Sequence, residues 1–517
     1  MNEINKIIWL LLLIQKINSE LDNTYWIKRL ILQQNERNRT FGGNLMMNHE
    51  ESKVNNILMH YKKQEIYEAF TNSRNFLPSR NFMQVRDKIE QSIVYKIIQA
   101  MPKGAVLHSH GTSAVSSEWI FNNVTYREHL YACDKNGFLA LKFFEKPSND
   151  CNWQLLSELR SHEDQADAIN TKIRNQLSMM TTNPDETYPT NNDAWNKFEQ
   201  FFKFIGPLLT YRPVHRDHFY QGLEELYEDN VLYLELRSTI PKLYDLNGTE
   251  YGPLETMKIY YQTTERFREE HEDFVGVKII YSPHKNGLTE DVFKKINLTS
   301  SLMKKYPDFF AGLDLVGHED RLVPIKKYIP GLSHLINKVK FYFHAGETNW
   351  YGLASDENLL DAILLNTTRI GHGYAVVKHP EVLEIVKQRN IPIEVCPISN
   401  QVLGLVKDLR NHPANILFAS NFPVVVSNDD PGLWGSKALS YDFYEAFMGM
   451  MSREADIRAL KQLAINSIDY SSMNDYQKVV AKDIWSQKWN KFIQDFYNSD
   501  IYFHFLQAVQ KKRIADP

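Results

Sequence analysis

The chain has 517 residues, 43% of them apolar and 12% aromatic, enough for one large catalytic domain with smaller additions. Its formal charge of −4 argues against nucleic acid or an anionic membrane as partner. The longest basic run is Lys511-Lys512-Arg513 at the tail.

In chain order, the first feature is an apolar run from Ile7 to Ile14, preceded by Lys6 and followed by polar residues from Gln15. It is too short for a membrane span, which takes about 20 residues. It reads as a secretory signal peptide over residues 1–19, with a buried first helix as the competing reading. Residues 20–98 carry charges and amides at helical spacing and predict a helical N-terminal extension. Residues 126–182 are polar, end at the breaker Asn183-Pro184, and read as an insertion. The catalytic unit is then 99–125 plus 183–510. No later stretch approaches transmembrane length, so stable membrane insertion is not expected.

A secreted chain gives meaning to five acceptor sequons, at Asn38, Asn123, Asn247, Asn297 and Asn366. Cys133 and Cys151 lie in the polar insertion and predict a disulfide closing a surface loop. Cys396, inside the apolar run IPIEVCPI, predicts a buried free thiol.

Eight short β-rich runs recur, separated by stretches long enough for helices. They are Gly104–Leu107, Val231–Leu236, Val275–Tyr281, Phe309–Val316, Val339–Phe343, Thr368–Ile370, Ile391–Val395 and Pro423–Ser427. Being almost wholly apolar, they suit strands covered on both faces, and the alternation predicts a (β/α)₈ TIM barrel. Several strands end in ionisable groups: His108-Ser109-His110, His284, His318-Glu319-Asp320, His344-Ala345-Gly346-Glu347, His372 and Asp429-Asp430. Strand ends of this fold converge on one mouth.

The chemistry follows from spacing. His108 and His110, two apart on a strand, point to one side and can share a metal ion. His344 offers a third nitrogen, and the small residues after it let Glu347 turn back as a general acid. Of Asp429 and Asp430, one suits a metal and the other a substrate N–H; a turn pair capping the next helix is the plainer reading. His372, between two glycines, suits a base for a metal-bound water. Trp195 alone reads as helix core, His284 is ambiguous, and His318 and Glu319 suit loop support.

These motifs, HSH, VGHED, FHAGET, RIGHG and SNDDP in this order, resemble the adenosine deaminase branch of the amidohydrolase superfamily. The spelling from about residue 95 to 500 is similar to the secreted adenosine deaminase-related growth factors. The resemblance implies one Zn²⁺ per subunit, held by His108, His110, His344 and Asp429. It implies Glu347 as proton donor to purine N1, His372 as the group that deprotonates or orients water, Asp430 near N7 and Gly317 near N3. Trp195, Glu199 and His284 would surround the ribose. The implied activity is deamination of adenosine or 2′-deoxyadenosine. A growth factor or nucleoside-binding signalling protein with weak catalysis is the alternative. The resemblance further implies homodimerisation through residues 20–98 and a receptor or glycosaminoglycan partner for 126–182. One departure stands out: the family carries an aspartate next to the second histidine, near the ribose 5′-hydroxyl, where this chain has Gly111.

Overall fold

The computed structural model describes residues 23–286 and 289–515. The expected signal segment, 1–19, lies outside the described residues. Eight parallel strands form the framework: β1 Gly104–His110, β2 Val231–Ser238, β3 Gly276–Tyr281, β4 Phe310–Leu313, β5 His344–Ala345, β6 Ile370–His372, β7 Ile393–Val395 and β8 Val424–Val426. Strands β1 to β4 pair in sequence order, as do β5 to β8. Single bridges close the ring at both seams, Leu313 to Phe341 and Ser109 to Asp429. All eight expected strands are present. The fifth is displaced: regular pairing covers His344–Ala345 and not Val339–Phe343, of which only Phe341 bridges to β4. There the ladder is replaced by single bonds, such as Leu313 N–H to Lys340 O at 3.0 Å.

Each strand sits between a packed interior and an outer ring of helices, so its residues are buried on both faces. Every residue of β2 is buried. Pro253–Glu270, Thr289–Lys305, Pro380–Gln388 and Ile457–Asp469 are among the covering helices. Two helices between β1 and β2 wall one side of the mouth, α1 Asn191–Leu209 and α2 Arg212–Glu228. Helix α1 starts at a capping box, in which Thr190 and Asp193 satisfy each other's backbone N–H.

The N-terminal extension is helical as expected, with helices over 23–39, His49–Thr71, Phe82–Ile89 and Ile93–Ala100. The insertion holds more order than its polarity predicts. Leu130–Lys135 pairs antiparallel with Phe138–Phe143 and with Gln154–Leu155. Alternating burial in Phe138–Phe143 is the period-2 signal that marks it as a half-buried strand. The disulfide Cys133–Cys151 is formed, with Cα atoms 6.3 Å apart, and Cys396 is a buried free thiol. All five sequon asparagines are exposed.

Candidate active site

The C-terminal ends of the strands open into a cavity of about 650 Å³. His110, His344, Glu347, His372, Asp429 and Asp430 line its floor. Trp195, Glu199, His284 and Gly317 line its walls. The barrel therefore brings every expected site residue to one chamber or, for His108, to the layer just beneath it.

Backbone geometry aims these side chains. His372 and Asp429 adopt left-handed conformations, with φ of 57° and 58°. Such residues cost on the order of 1–3 kcal/mol each and persist where the surrounding structure enforces them. Gly346 has φ 76°, and a Cβ there would lie 2.8 Å from Leu359 Cδ1. That turn swings Glu347 back over the mouth. Gly317, φ 121°, admits no side chain, because a Cβ would meet Leu322 at 2.4 Å and His284 at 2.8 Å.

His108, His110, His344 and Asp429 place one donor atom each within 4.8 Å of one another. Asp429 Oδ1 lies 3.1 Å from His110 Nε2 and 3.3 Å from His108 Nε2. His108 Nδ1 donates to Glu394 Oε2 at 2.7 Å, and His344 Nδ1 donates to Asp314 Oδ2 at 2.7 Å. With their protons so placed, both rings turn Nε2 lone pairs inward. His108 Nε2 and Asp429 Oδ1 are buried without a hydrogen-bond donor among the described residues. Lone pairs and a carboxylate facing one another repel unless a cation sits between them, so this donor set fits a metal ion. A second grouping, of His108, His372, Cys396 and Asp429, is poorer. Burial, then Asp429, holds the Cys396 thiol well above its usual range, and a thiol is a weak ligand.

The supporting layer consists of buried charges inside the barrel strands. Arg237 on β2 donates to Asp314 at 2.9 Å and to Glu394 at 2.7 Å. Arg369 donates to Glu394 and to Glu235, both at 2.6 Å. Burial pushes the Glu394 and Asp314 carboxyls up, but these arginines and the two histidines outweigh it and keep both ionised. Sequence reasoning missed this layer. Its signal was a charged residue at inward positions of apolar strands, Glu235 and Arg237 among them.

Glu347 behaves oppositely. Burial, with Asp429, Glu319 and Asp430 nearby, raises it well above an ordinary carboxylate. That shift favours the protonated form. Glu319 accepts the Glu347 backbone N–H and receives Asn358 Nδ2 at 2.6 Å. Asp430 is raised by burial and by Asp429, and accepts from Ser113 Oγ. It makes no side-chain cap to the helix Pro431–Trp434, so the plainer reading of this pair is not seen. Trp195 stacks on His318 at 4.3 Å and 5°.

The protonation of His372 can be traced from a backbone amide. The Ala414 N–H donates to His412 Nδ1 at 3.0 Å. Burial pushes His412 down to about 3, so the ring is neutral and its proton is on Nε2. That proton goes to Asn400 Oδ1 at 3.0 Å. The Asn400 amide N–H₂ therefore faces His372 Nδ1, 3.1 Å away, which accepts. Burial holds His372 neutral too, so its own proton is on Nε2. Nε2 lies 3.7 Å from Glu347 Oε1 and 3.7 Å from Asp429 Oδ2. Asn400 and His412 were not legible as site residues.

A closed parallel barrel with histidines and carboxylates gathered at one mouth is the arrangement of an α/β-barrel enzyme with a candidate metal site. Family comparison narrows this. A family model described as adenosine deaminase matches residues 171–485, and one described as adenosine/AMP deaminase N-terminal matches 7–98. An adenosine deaminase of Aedes albopictus is 43% identical over 461 residues, covering 88% of this chain and 86% of its own. Adenosine deaminase 2 of Homo sapiens is 42% identical over 470 residues, covering 89% and 91%. Among solved structures, an N6-methyl-AMP deaminase of Arabidopsis thaliana matches with TM-score 0.52 at 18% identity, covering 76% of this chain and 98% of that one, a likeness of fold. The chain belongs to the adenosine deaminase family and is a hydrolytic deaminase.

Proposed function

We propose that this protein is a secreted, zinc-dependent deaminase of adenosine and 2′-deoxyadenosine. The observation that carries the reading is the pairing of an inward-facing His₃Asp donor set with the buried carboxyl of Glu347 in one chamber. His108, His110, His344 and Asp429 would hold the ion, which when bound brings the pKa of a water down to about 7. Three neutral imidazoles and one carboxylate are ligand types that suit zinc.

The protein's own groups do the rest. The hydroxyl of water adds to C6 of the purine while Glu347 gives its proton to N1, and the other water proton passes to N6. The C6–N6 bond then breaks, ammonia leaves, and the proton of the new C6 hydroxyl returns to Glu347 as the carbonyl forms. His372 holds its Nε2 proton above the ligand carboxylate, where it can donate to the incoming oxygen. That role is orienting, and Asn400 with His412 maintains it. Asp430, raised by burial and by Asp429, meets the base edge near N7. Trp195, Glu199 and His284 enclose the sugar.

Secretion is supported by the likeness to adenosine deaminase 2 and by the exposed sequons. No helix among the described residues is long and apolar enough to cross a membrane. Dimerisation through residues 20–98 is supported by exposed apolar side chains on the helix over 23–39, among them Tyr25, Ile27 and Leu30. The insertion, residues 126–182, remains our candidate for a receptor or glycosaminoglycan partner.

An absorbance assay on purified, zinc-loaded protein tests the activity. Adenosine should be converted to inosine, and Glu347→Gln should lower kcat by about a thousandfold, as loss of a general acid does. No turnover of adenosine by fully loaded protein would overturn the reading.

A further inference from the structure

The N-terminal extension is tied to the support of the site through one side chain. Phe82 opens the extension helix Phe82–Ile89 and is fully buried. A helix leaves its first N–H groups without partners of its own. Asn81 caps the Met83 N–H at 3.1 Å, and the Phe82 N–H goes to Gln401 Oε1 at 2.7 Å. Gln401 is 3% exposed and lies on the short helix Pro397–Val402, directly after β7. Its Nε2 donates to Arg80 O at 3.0 Å and to Lys407 O at 2.9 Å. The acceptor and both donor hydrogens are thus used, and turning the amide over would set like against like at all three contacts. Gln401 fastens residues 80–82 of the extension and the loop 403–412 to its own helix.

That loop brings His412 to Asn400, the residue before Gln401. The Asn400 carbonyl accepts the Leu405 N–H at 2.9 Å and the Val406 N–H at 3.3 Å. Its side chain stands between His412 Nε2 at 3.0 Å and His372 Nδ1 at 3.1 Å. Tyr374, two residues after His372, donates its hydroxyl to Leu405 O at 2.9 Å, and its ring packs 5.0 Å from that of His412. An asparagine amide can present either its oxygen or its nitrogen to a neighbour. His412 selects the nitrogen for His372, and it does so only while the loop is held in place. Lys407, midway along the loop, is where Gln401 holds it.

We propose that Gln401 is a positioning residue for the deamination: by clamping residues 80–82 of the extension and the loop 403–412 to the helix Pro397–Val402, it keeps Asn400 turned correctly against His372. The inference rests on the orienting role of His372 in the adenosine reading. It makes the start of the helix Phe82–Ile89 part of the catalytic support, although it belongs to the extension by sequence. Gln401 touches neither the chamber nor His372, and acts through Asn400.

The test measures adenosine turnover and the ring-nitrogen NMR shifts of histidine-labelled, zinc-loaded enzyme. The native protein is compared with Gln401→Met, Gln401→Glu, Asn400→Ala and the double variant Gln401→Met with Asn400→Ala. Gln401→Met keeps the volume and removes all three bonds. Gln401→Glu keeps the bond from the Phe82 N–H and sets an oxygen against the two carbonyls, so it carries the test if the first variant fails to fold. Either should lower kcat by about tenfold or more, with KM and bound zinc little changed. The His372 and His412 ring signals should move in both. Because Gln401 acts through Asn400, the double variant should be no slower than Asn400→Ala alone. Ile57→Ala, in the extension helix His49–Thr71, removes core packing away from Gln401. It should lower Tm and leave kcat native. Native kcat or unmoved ring signals in the Gln401 variants would overturn the inference. So would losses that multiply in the double variant, or an equal loss of kcat in Ile57→Ala. If the native enzyme turns over no adenosine, the adenosine reading fails, and the ring signals alone decide whether Gln401 holds the pair of Asn400 and His412.

Discussion

At the scale of single residues, the site is governed by which form of each group its neighbours permit. Glu347 and Asp429 carry the same functional group in one chamber. Burial among carboxylates holds the first well above the ordinary carboxylate range, while the imidazoles of His108, His110 and His372 beside the second outweigh burial and hold it well below that range. His372 is set differently, by the Ala414–His412–Asn400 sequence of hydrogen bonds. Asn400→Asp would replace a donor by an acceptor at His372 Nδ1 and move the imidazole proton there, leaving Nε2 bare. Steady-state kinetics should then show kcat reduced tenfold or more, with KM and bound zinc little changed. The acid limb of the pH profile should move to higher pH, because a carboxylate stabilises the imidazolium. A variant with native kcat and pH profile would show that Asn400 merely fills space.

At the scale of elements, the strands act as two-sided supports. Their upper ends carry the site, and their interior carries Glu235, Arg237, Asp314, Arg369 and Glu394, all fully buried. Breaking a buried charge network by removing one member is costly, about 3–5 kcal/mol. The same carboxylates fix the ligand rings. Glu394→Gln should therefore weaken metal retention by about 10–100-fold, the usual effect of losing such a partner. Competition with a chelator followed by metal analysis measures it, and native retention would contradict the role assigned to Glu394. This layer explains where sequence reasoning stopped. Strand order, the chemistry at strand ends and the turn at Gly346 were legible, because each rests on local spacing. The pairing of Arg237 with Glu394 was not, because the partners are 157 residues apart and meet only when the barrel closes. Likewise His412 lies in a loop of unremarkable composition, and only the closed fold brings it to Asn400 behind His372. The insertion's strands were obscured by the polar residues around them, although Leu139, Leu141 and Phe143 mark the buried alternate positions of one.

At the scale of the whole molecule, the fold buries several imidazoles that touch no candidate metal ligand by hydrogen bond, among them His215, His218 and His412. Burial lowers them to about 4, about 3 and about 3, against 6.5 in the unfolded chain. Above pH 6.5 both states are neutral there and the full stability is present. As pH falls below 6.5 the unfolded chain takes up protons that the folded one refuses, so stability is lost toward the folded-state values. Each group contributes a slope of about 1.4 kcal/mol per pH unit in that window. Thermal melts should show Tm falling steadily from pH 7 to pH 5, and a Tm unchanged or rising over that range would contradict this burial.

The central claim is that one ion in the His108, His110, His344 and Asp429 set enables hydrolysis of adenosine. It is tested most directly by stripping the protein with a chelator and titrating zinc back while following adenosine turnover. The account predicts an inactive stripped enzyme and a linear return of activity that breaks at one zinc per chain. Full activity without metal, or a break at two ions per chain, would contradict it.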